Sequence, residues 1–197
     1  MTHKPETDQE MAAIRVSGTV TPLNAQIYLA PCDAAWPAQF AAEAAKIRKA
    51  LGEKALLIEH VGSTSIPGLC AKPVIDIVLE VAGSADEPAY APDLEAAGYR
   101  LHLREPGWHE HRVFKGDWPY VNLHVFSAGS PETVRMVAFR DRCRCDPEER
   151  RLYQETKRAL AARVWRHVQH YANAKSEVVE AITARALAAA SPSPAGS

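Results

Sequence analysis

A chain of 197 residues, 47% hydrophobic and with a formal net charge of -1, has material for one full core and little more. The near-balanced charge gives no electrostatic footprint for a nucleic-acid partner, no apolar run approaches the ~20 residues of a membrane span, and neither end reads as a signal peptide. The expectation is a cytoplasmic protein with reduced thiols at Cys32, Cys70, Cys143 and Cys145, the Cys-x-Cys pair lacking a second pair to complete a zinc site.

Residues 1–24 are polar and without sustained period, so they are expected to be mobile, as is the small-residue tail at 191–197. Between them, 25–190 reads as a single domain. It opens with an apolar entry and an alanine-rich helix at 37–51, Asp33 standing near its start. A strand at 55–61 enters a loop of small residues, and one at 74–81 has the β-branched enrichment of a buried strand, which Pro73 can only open. A helix at 89–97 stops at Gly98 and a strand follows at 99–103. Strands at 112–115 and 120–126 flank the turn Gly116-Asp117-Trp118-Pro119. From Pro131 the pattern is helical, with Phe139 and Arg140 in one segment, Leu152, Leu160 and Val164 along a long amphipathic helix, and a last helix at 172–190. Sheet first and helices later is an α+β arrangement.

The most informative stretch, 59–81, reads EHVGSTSIPGLCAKPVIDIVLEV. Gly62, Ser63, Thr64 and Ser65 form the kind of run that lets backbone amides approach a phosphate. Asp76, Val78 and Glu80 share one face of the next strand, and Ile77, Leu79 and Val81 the other. Two readings stand: a phosphate cradle beside a metal-holding carboxylate, or a turn followed by a core strand whose acids face water. A kinase-type phosphate loop, GxxxxGK[ST], is missing, since Lys72 lies four residues past Gly68 and precedes Pro73. Alternation also puts Asn122 and His124 on one strand face, while Tyr153 and Lys157, like Tyr171 and Lys175, stand one helical turn apart. His109 and His111, with His60 and His124, offer a weaker nitrogen set for Zn²⁺ and a metal-dependent hydrolase.

In chain order HVGSTSIPGL, AKPVIDIVLEV, NLHVF, FRDRCR and then Tyr153, Lys157, Tyr171 and Lys175 resemble the signatures of the GrpB family, over residues 28–186. That family is regarded as a branch of the nucleotidyltransferase superfamily, and in some relatives a similar domain is fused to dephospho-CoA kinase. The resemblance implies an α+β, nucleotidyltransferase-like fold with a mixed β-sheet core and a helical C-terminal half. It also implies a nucleoside triphosphate bound with Mg²⁺ and transfer of a nucleotidyl group to a small-molecule acceptor.

Superfamily members carry Gly-Ser in a loop and, farther on, two acids separated by one residue. Here Ser63 and Asp76 match, Val78 stands where the second acid is expected, and Glu80 lies one strand period beyond. The expected catalytic residues are therefore Asp76, Glu80 and His124, and the expected metal ligands Asp76, Glu80, Asn122 and His124. The expected phosphate-binding residues are Gly62, Ser63, Thr64, Ser65, Lys72, Arg112, Lys157 and Lys175. A structural reading stands beside each: hydroxyls bonded to their own turn, a solvated Lys72, an ion-paired Arg112, lysine stems covering a core. Arg140 and Asp141 are expected to tie a helix to the sheet, and Trp108 and Trp118 are the candidates for base stacking. The single matched acid keeps open a non-catalytic nucleotide- or phosphometabolite-binding module. Oligomeric state is not set by the sequence.

Overall fold

The computed structural model describes residues 7–190. Five strands, β1 (Leu57–Val61), β2 (Ile75–Val81), β3 (Arg100–Glu105), β4 (His111–Asp117) and β5 (Tyr120–Ser127), pair in the order β1-β2-β5-β4-β3. The β2/β5 pair is parallel and the others antiparallel, so the sheet is mixed. Register aligns the polar residues of one face: Asp76 pairs with Val61 and Asn122, Val78 with His124, and Lys115 with Asn122.

The two faces differ because β2 alternates. Ile75, Ile77, Leu79 and Val81, with Leu123, Val125 and Phe114, bury against Trp36, Ile47 and Leu51 of α2 (Trp36–Leu51) and Leu94 of α3 (Ala91–Ala96). Each fully buried aliphatic side chain there stabilises the fold by roughly 1.5–3 kcal/mol. On the other face Val61, Val78 and Phe126 form a smaller cluster with Trp108 and with Met136 and Val137 of α4 (Pro131–Cys145). The chain then continues through α5 (Pro147–Ala161), α6 (Val168–Ala174) and α7 (Ser176–Ala190). Asp146 accepts from the backbone N–H of Glu148 and Glu149, which fixes where α5 begins. Phe139, Cys143, Tyr153 and Ile182 join α4, α5 and α7 to Ile66 and Leu69 of the loop after β1.

Three segments differ from the sequence expectation. Within the stretch expected to be mobile, α1 (Asp8–Ala13) forms with a Thr7/Glu10 capping box, and its Met11 is buried. The expected mobility of the first six residues and of 191–197 falls outside the described residues. The long helix ends at Ala161, and of the three residues expected along its apolar stripe Leu160 is buried, while Leu152 is 43% exposed and Val164, beyond the helix, is 70% exposed. The last helix is split into α6 and α7 at Lys175. Cys143 is buried and Cys145 exposed, both as free thiols. Among the described residues no helix is long and apolar enough to cross a membrane.

Candidate ligand-binding site

A cavity of about 540 Å³ lies between the Asp76 face of the sheet and the C-terminal helices. Strands supply Asp76, Lys115, Asn122 and His124; the loops before β2 supply Gly62, Ser63 and Lys72; α5 and the end of α6 supply Lys157, Tyr171 and Lys175. Met11, Ile14 and Arg15 from the N-terminal segment also line it, held there by ion pairs from Asp8 to Arg166 and His167.

Asp76 is the single carboxylate among these lining residues, and its surroundings are specific. Gly62 has φ +66°, and a Cβ placed on it would stand 2.4 Å from Asp76 Oδ2, so only glycine lets the loop pass this close. Asn122 Nδ2 donates to Asp76 Oδ1 at 2.7 Å, and Lys115 Nζ donates to Asn122 Oδ1 at 2.6 Å. His124 Nε2 lies 3.9 Å from Asp76 Oδ1, an ionic approach too long for a hydrogen bond. Burial pushes the Asp76 carboxyl up, but His124, Asn122 and Lys72 outweigh it and hold the group below its ordinary value. Asp76 is therefore ionised at neutral pH.

The cations dominate. Burial pulls Lys157 down to about 7 and Lys175 down to about 8, and lowers Lys72 and Lys115 as well. Lys157 is 1% exposed and donates to the Cys70 carbonyl. Lys175 Nζ sits 4.6 Å from the centre of the Tyr171 ring. The Tyr171 hydroxyl is buried and has no hydrogen-bond partner among the described residues. An unsatisfied buried hydroxyl beside desolvated ammonium groups is the arrangement of a site built to receive hydrogen-bond acceptors and negative charge.

The structure brings together Gly62, Ser63, Lys72, Asp76, Asn122, His124, Lys157 and Lys175, and sets four other expected residues elsewhere. Thr64 Oγ1 donates to the Val74 carbonyl and Ser65 Oγ to the Gly62 carbonyl, so both hydroxyls lock the turn. Arg112 is ion-paired with Glu87, with no part in the cavity. Glu80, at the far end of β2, accepts from the Gly129 backbone N–H. Ser63 Oγ lies 3.3 Å from the Tyr153 hydroxyl at the cavity edge.

The zinc set does not assemble. His60 stacks on Phe40 and bonds Thr64 Oγ1, pairing in register with Ile77, on the face opposite Asp76. His109 sits in the turn before β4, and only His111 and His124 meet, at 3.0 Å. Among the described residues no three His, Cys, Asp or Glu side chains are placed to hold a metal ion. A Mg²⁺ site of the two-carboxylate kind does not fit either: Val78 is 0% exposed inside the apolar cluster, Glu80 is engaged elsewhere, and the remaining charged neighbours are cations. Trp108 packs edge-on against His111 and Trp118 is 83% exposed on the β4–β5 turn, so neither lines the cavity. Arg140 bonds Glu59 and the His60 carbonyl, tying α4 to β1 as expected.

Lys115 as a cavity group went unassigned in the sequence. The signal for Lys115 was the hairpin: the turn at 116–119 puts it opposite Asn122. The hydroxyl of Tyr171 becomes visible as an orphan only once α6 is packed.

Comparison with known proteins places this geometry in a family. The family model described as "GrpB protein" matches residues 26–185. A UPF0157 protein of Halalkalibacterium halodurans is 55% identical, covering 93% of this chain and 94% of its own. A UPF0157 protein of Streptomyces coelicolor is 42% identical over 83% of this chain and 86% of its own. A protein named dephospho-CoA kinase in Mycolicibacterium paratuberculosis is 31% identical over 77% of this chain, which spans only 44% of that protein. The crystal structure of the conserved protein GrpB from Enterococcus faecalis superposes with a TM-score of 0.71 at 28% identity, covering 82% of this chain and 98% of that one.

Proposed function

The chain belongs to the GrpB family, and from that premise we propose that its cavity binds a small polyanion of the nucleotide or phosphometabolite class. The observation that carries this reading is the set of four lysines, Lys72, Lys115, Lys157 and Lys175, around one carboxylate in a cleft of about 540 Å³. Four ammonium groups this close repel one another and are poorly hydrated. A di- or triphosphate relieves both costs, and the Tyr171 hydroxyl gives one of its oxygens a donor. The lysines, rather than a protein-held Mg²⁺, supply the counter-charge.

A second reading, transfer of the nucleotidyl group to a small acceptor, is favoured by the position of Asp76 and His124 beside the Gly62-Ser63 loop. The nucleotidyltransferase-like fold agrees with it. The name of the mycobacterial relative puts dephospho-CoA in the panel of ligands to try. Isothermal titration of ATP, pyrophosphate and dephospho-CoA, in EDTA and in Mg²⁺, tests the first reading: binding in EDTA that is lost in the double variant Lys72→Met/Lys175→Met is the expected result. No binding by any of the three in either buffer would refute it. Release of pyrophosphate from ATP in the presence of a hydroxyl acceptor, abolished by Asp76→Asn, is the corresponding result for transfer.

A further inference from the structure

The segment ahead of the sheet brings one more cation to the cavity. Arg15 lies opposite Leu103 in an antiparallel bridge at the outer edge of β3. Val16 N–H donates to the His102 carbonyl at 2.9 Å and Arg104 N–H to the Ile14 carbonyl at 2.8 Å. Ser17 Oγ adds a bond to the Leu101 carbonyl at 3.0 Å, and the ion pairs of Asp8 hold the other end of the segment. Residues directly opposite one another across a sheet project from the same face. The row that starts at Arg15 runs through Leu103, Val113 and His124, and all four line the cavity. Pairing with β3 is what turns Arg15 inward.

A guanidinium stays charged and offers its N–H donors in a planar fork. Arg15 Nε is buried and has no hydrogen-bond partner among the described residues, and the contact of Nη1 with His102 Nε2, at 3.4 Å, is longer than a good N–H bond. Asp76, the single carboxylate lining the cavity, stands on β2, four strand spacings from Arg15, on the order of 19 Å between backbones. A buried donor without a bond and a cation without a counter-charge both cost free energy, and one anionic oxygen relieves both. The neighbouring charge is Lys115: burial, then Lys72 and Arg15, hold its amine below the ordinary value, against the pull of Asp76. Positive charge is thus strung across the sheet, from Lys157 and Lys175 through Lys72 and Lys115 to Arg15.

We propose that Arg15 binds the far end of an extended polyphosphate, and that it makes the cavity select three linked phosphates over two. The inference rests on the polyanion reading above. Lys72, Lys157 and Lys175 suffice to hold a pyrophosphate. A third phosphate extends along the row toward Lys115 and Arg15, where Nε–H and an Nη–H give it a two-point contact. Ammonium groups on flexible stems supply charge without a fixed direction, and the fork supplies the direction. The segment that carries Arg15 lies ahead of residue 26, where the family match begins, so the selection belongs to this segment rather than to the common core.

Isothermal titration of the full chain with pyrophosphate and with tripolyphosphate, both in EDTA, tests this. Wild type should prefer tripolyphosphate by about tenfold or more, the worth of one charge-assisted contact. Arg15→Met should lose that preference, its affinity for tripolyphosphate falling about tenfold while that for pyrophosphate stays within about twofold. Unchanged hydrogen exchange at the Val16 and Arg104 amides shows that the segment is still in place in the variant. In ¹H–¹⁵N spectra of the wild type, the Arg15 Nε–H signal, assigned by its loss in Arg15→Lys, should move downfield with tripolyphosphate and stay in place with pyrophosphate. That readout does not depend on how any variant folds. Tripolyphosphate bound equally well by wild type and Arg15→Met, equal losses for the two anions, or an Nε–H signal indifferent to tripolyphosphate overturns the proposal and leaves the polyanion reading standing. A wild type that binds neither anion sinks that reading, and this proposal with it.

Discussion

Alanine at position 62 would have to carry a Cβ 2.4 Å from Asp76 Oδ2, with a backbone φ of +66° and ψ of -169° that side chains avoid. The strain alone is on the order of 1–3 kcal/mol, so Gly62→Ala is expected to lower the free energy of unfolding measured in urea by that much and to displace Asp76. A variant within about 0.5 kcal/mol of wild type would show that the close approach is not what fixes glycine here. The lysines make a prediction in pH. Burial, and for Lys157 also the neighbouring Lys175, brings these two amines to about 7 and about 8 from an unfolded value near 10.5. Between those values the unfolded chain binds more protons than the folded one, so these groups make stability rise with pH across that window and reach their full effect above 10.5. Phosphate binding runs the opposite way, since it needs the ammonium forms. Affinity for pyrophosphate should be greatest below pH 7 and fall through pH 7–9 in calorimetry. Lys157→Met should flatten that profile, and an unaltered profile would remove Lys157 from the site.

The strand-and-loop half of the site was legible in the sequence because its signals are local. The small-residue run and the period of two in β2 set Ser63 and Asp76 beside each other without knowledge of the rest of the chain. Val78 was read as a departure, and the structure gives the reason: it belongs to the apolar cluster under α4, where a carboxylate would be buried without a partner. Arg112 and Glu80 were misplaced in the cavity because their partners, Glu87 and the Gly129 N–H, come from loops that no spacing rule places. The helix α1 was hidden for a related reason. Six residues are too few for a convincing period, and what orders them is Asp8 reaching Arg166 and His167, 158 and 159 residues away. This segment forms part of the cavity wall, with Met11 and Arg15 against the ligand space. Asp8→Ala should therefore speed hydrogen exchange in α6 and raise both association and dissociation rates of pyrophosphate, with little change in Kd. Unchanged rates in stopped-flow binding would mean that the entry path lies elsewhere.

Across the whole molecule charge is nearly balanced, at a formal -1, yet the cavity collects four lysines and one carboxylate. Several basic residues elsewhere are paired locally, as Arg104 and Arg112 with Glu87 and Arg185 with Glu149, whereas the cavity lysines face a single carboxylate. Such a site sits between two halves, the sheet on one side and the C-terminal helices on the other, so a ligand bridging them binds only the native state. At a concentration 100 times its Kd it should stabilise the protein by about 2.7 kcal/mol, which for a chain of this size is a rise in Tm of roughly 5–10 °C. If the ammonium groups are the counter-charge, the rise with ATP or pyrophosphate is the same in EDTA as in Mg²⁺. In Lys72→Met/Lys175→Met the unliganded protein is as stable as wild type or more so, because desolvated amines have been removed, while the ligand-dependent rise disappears. A rise that appears only with Mg²⁺, persists in the double lysine variant and vanishes in Asp76→Asn would invert the assignment. The single carboxylate would then anchor a cation brought in by the nucleotide, with the lysines as bystanders.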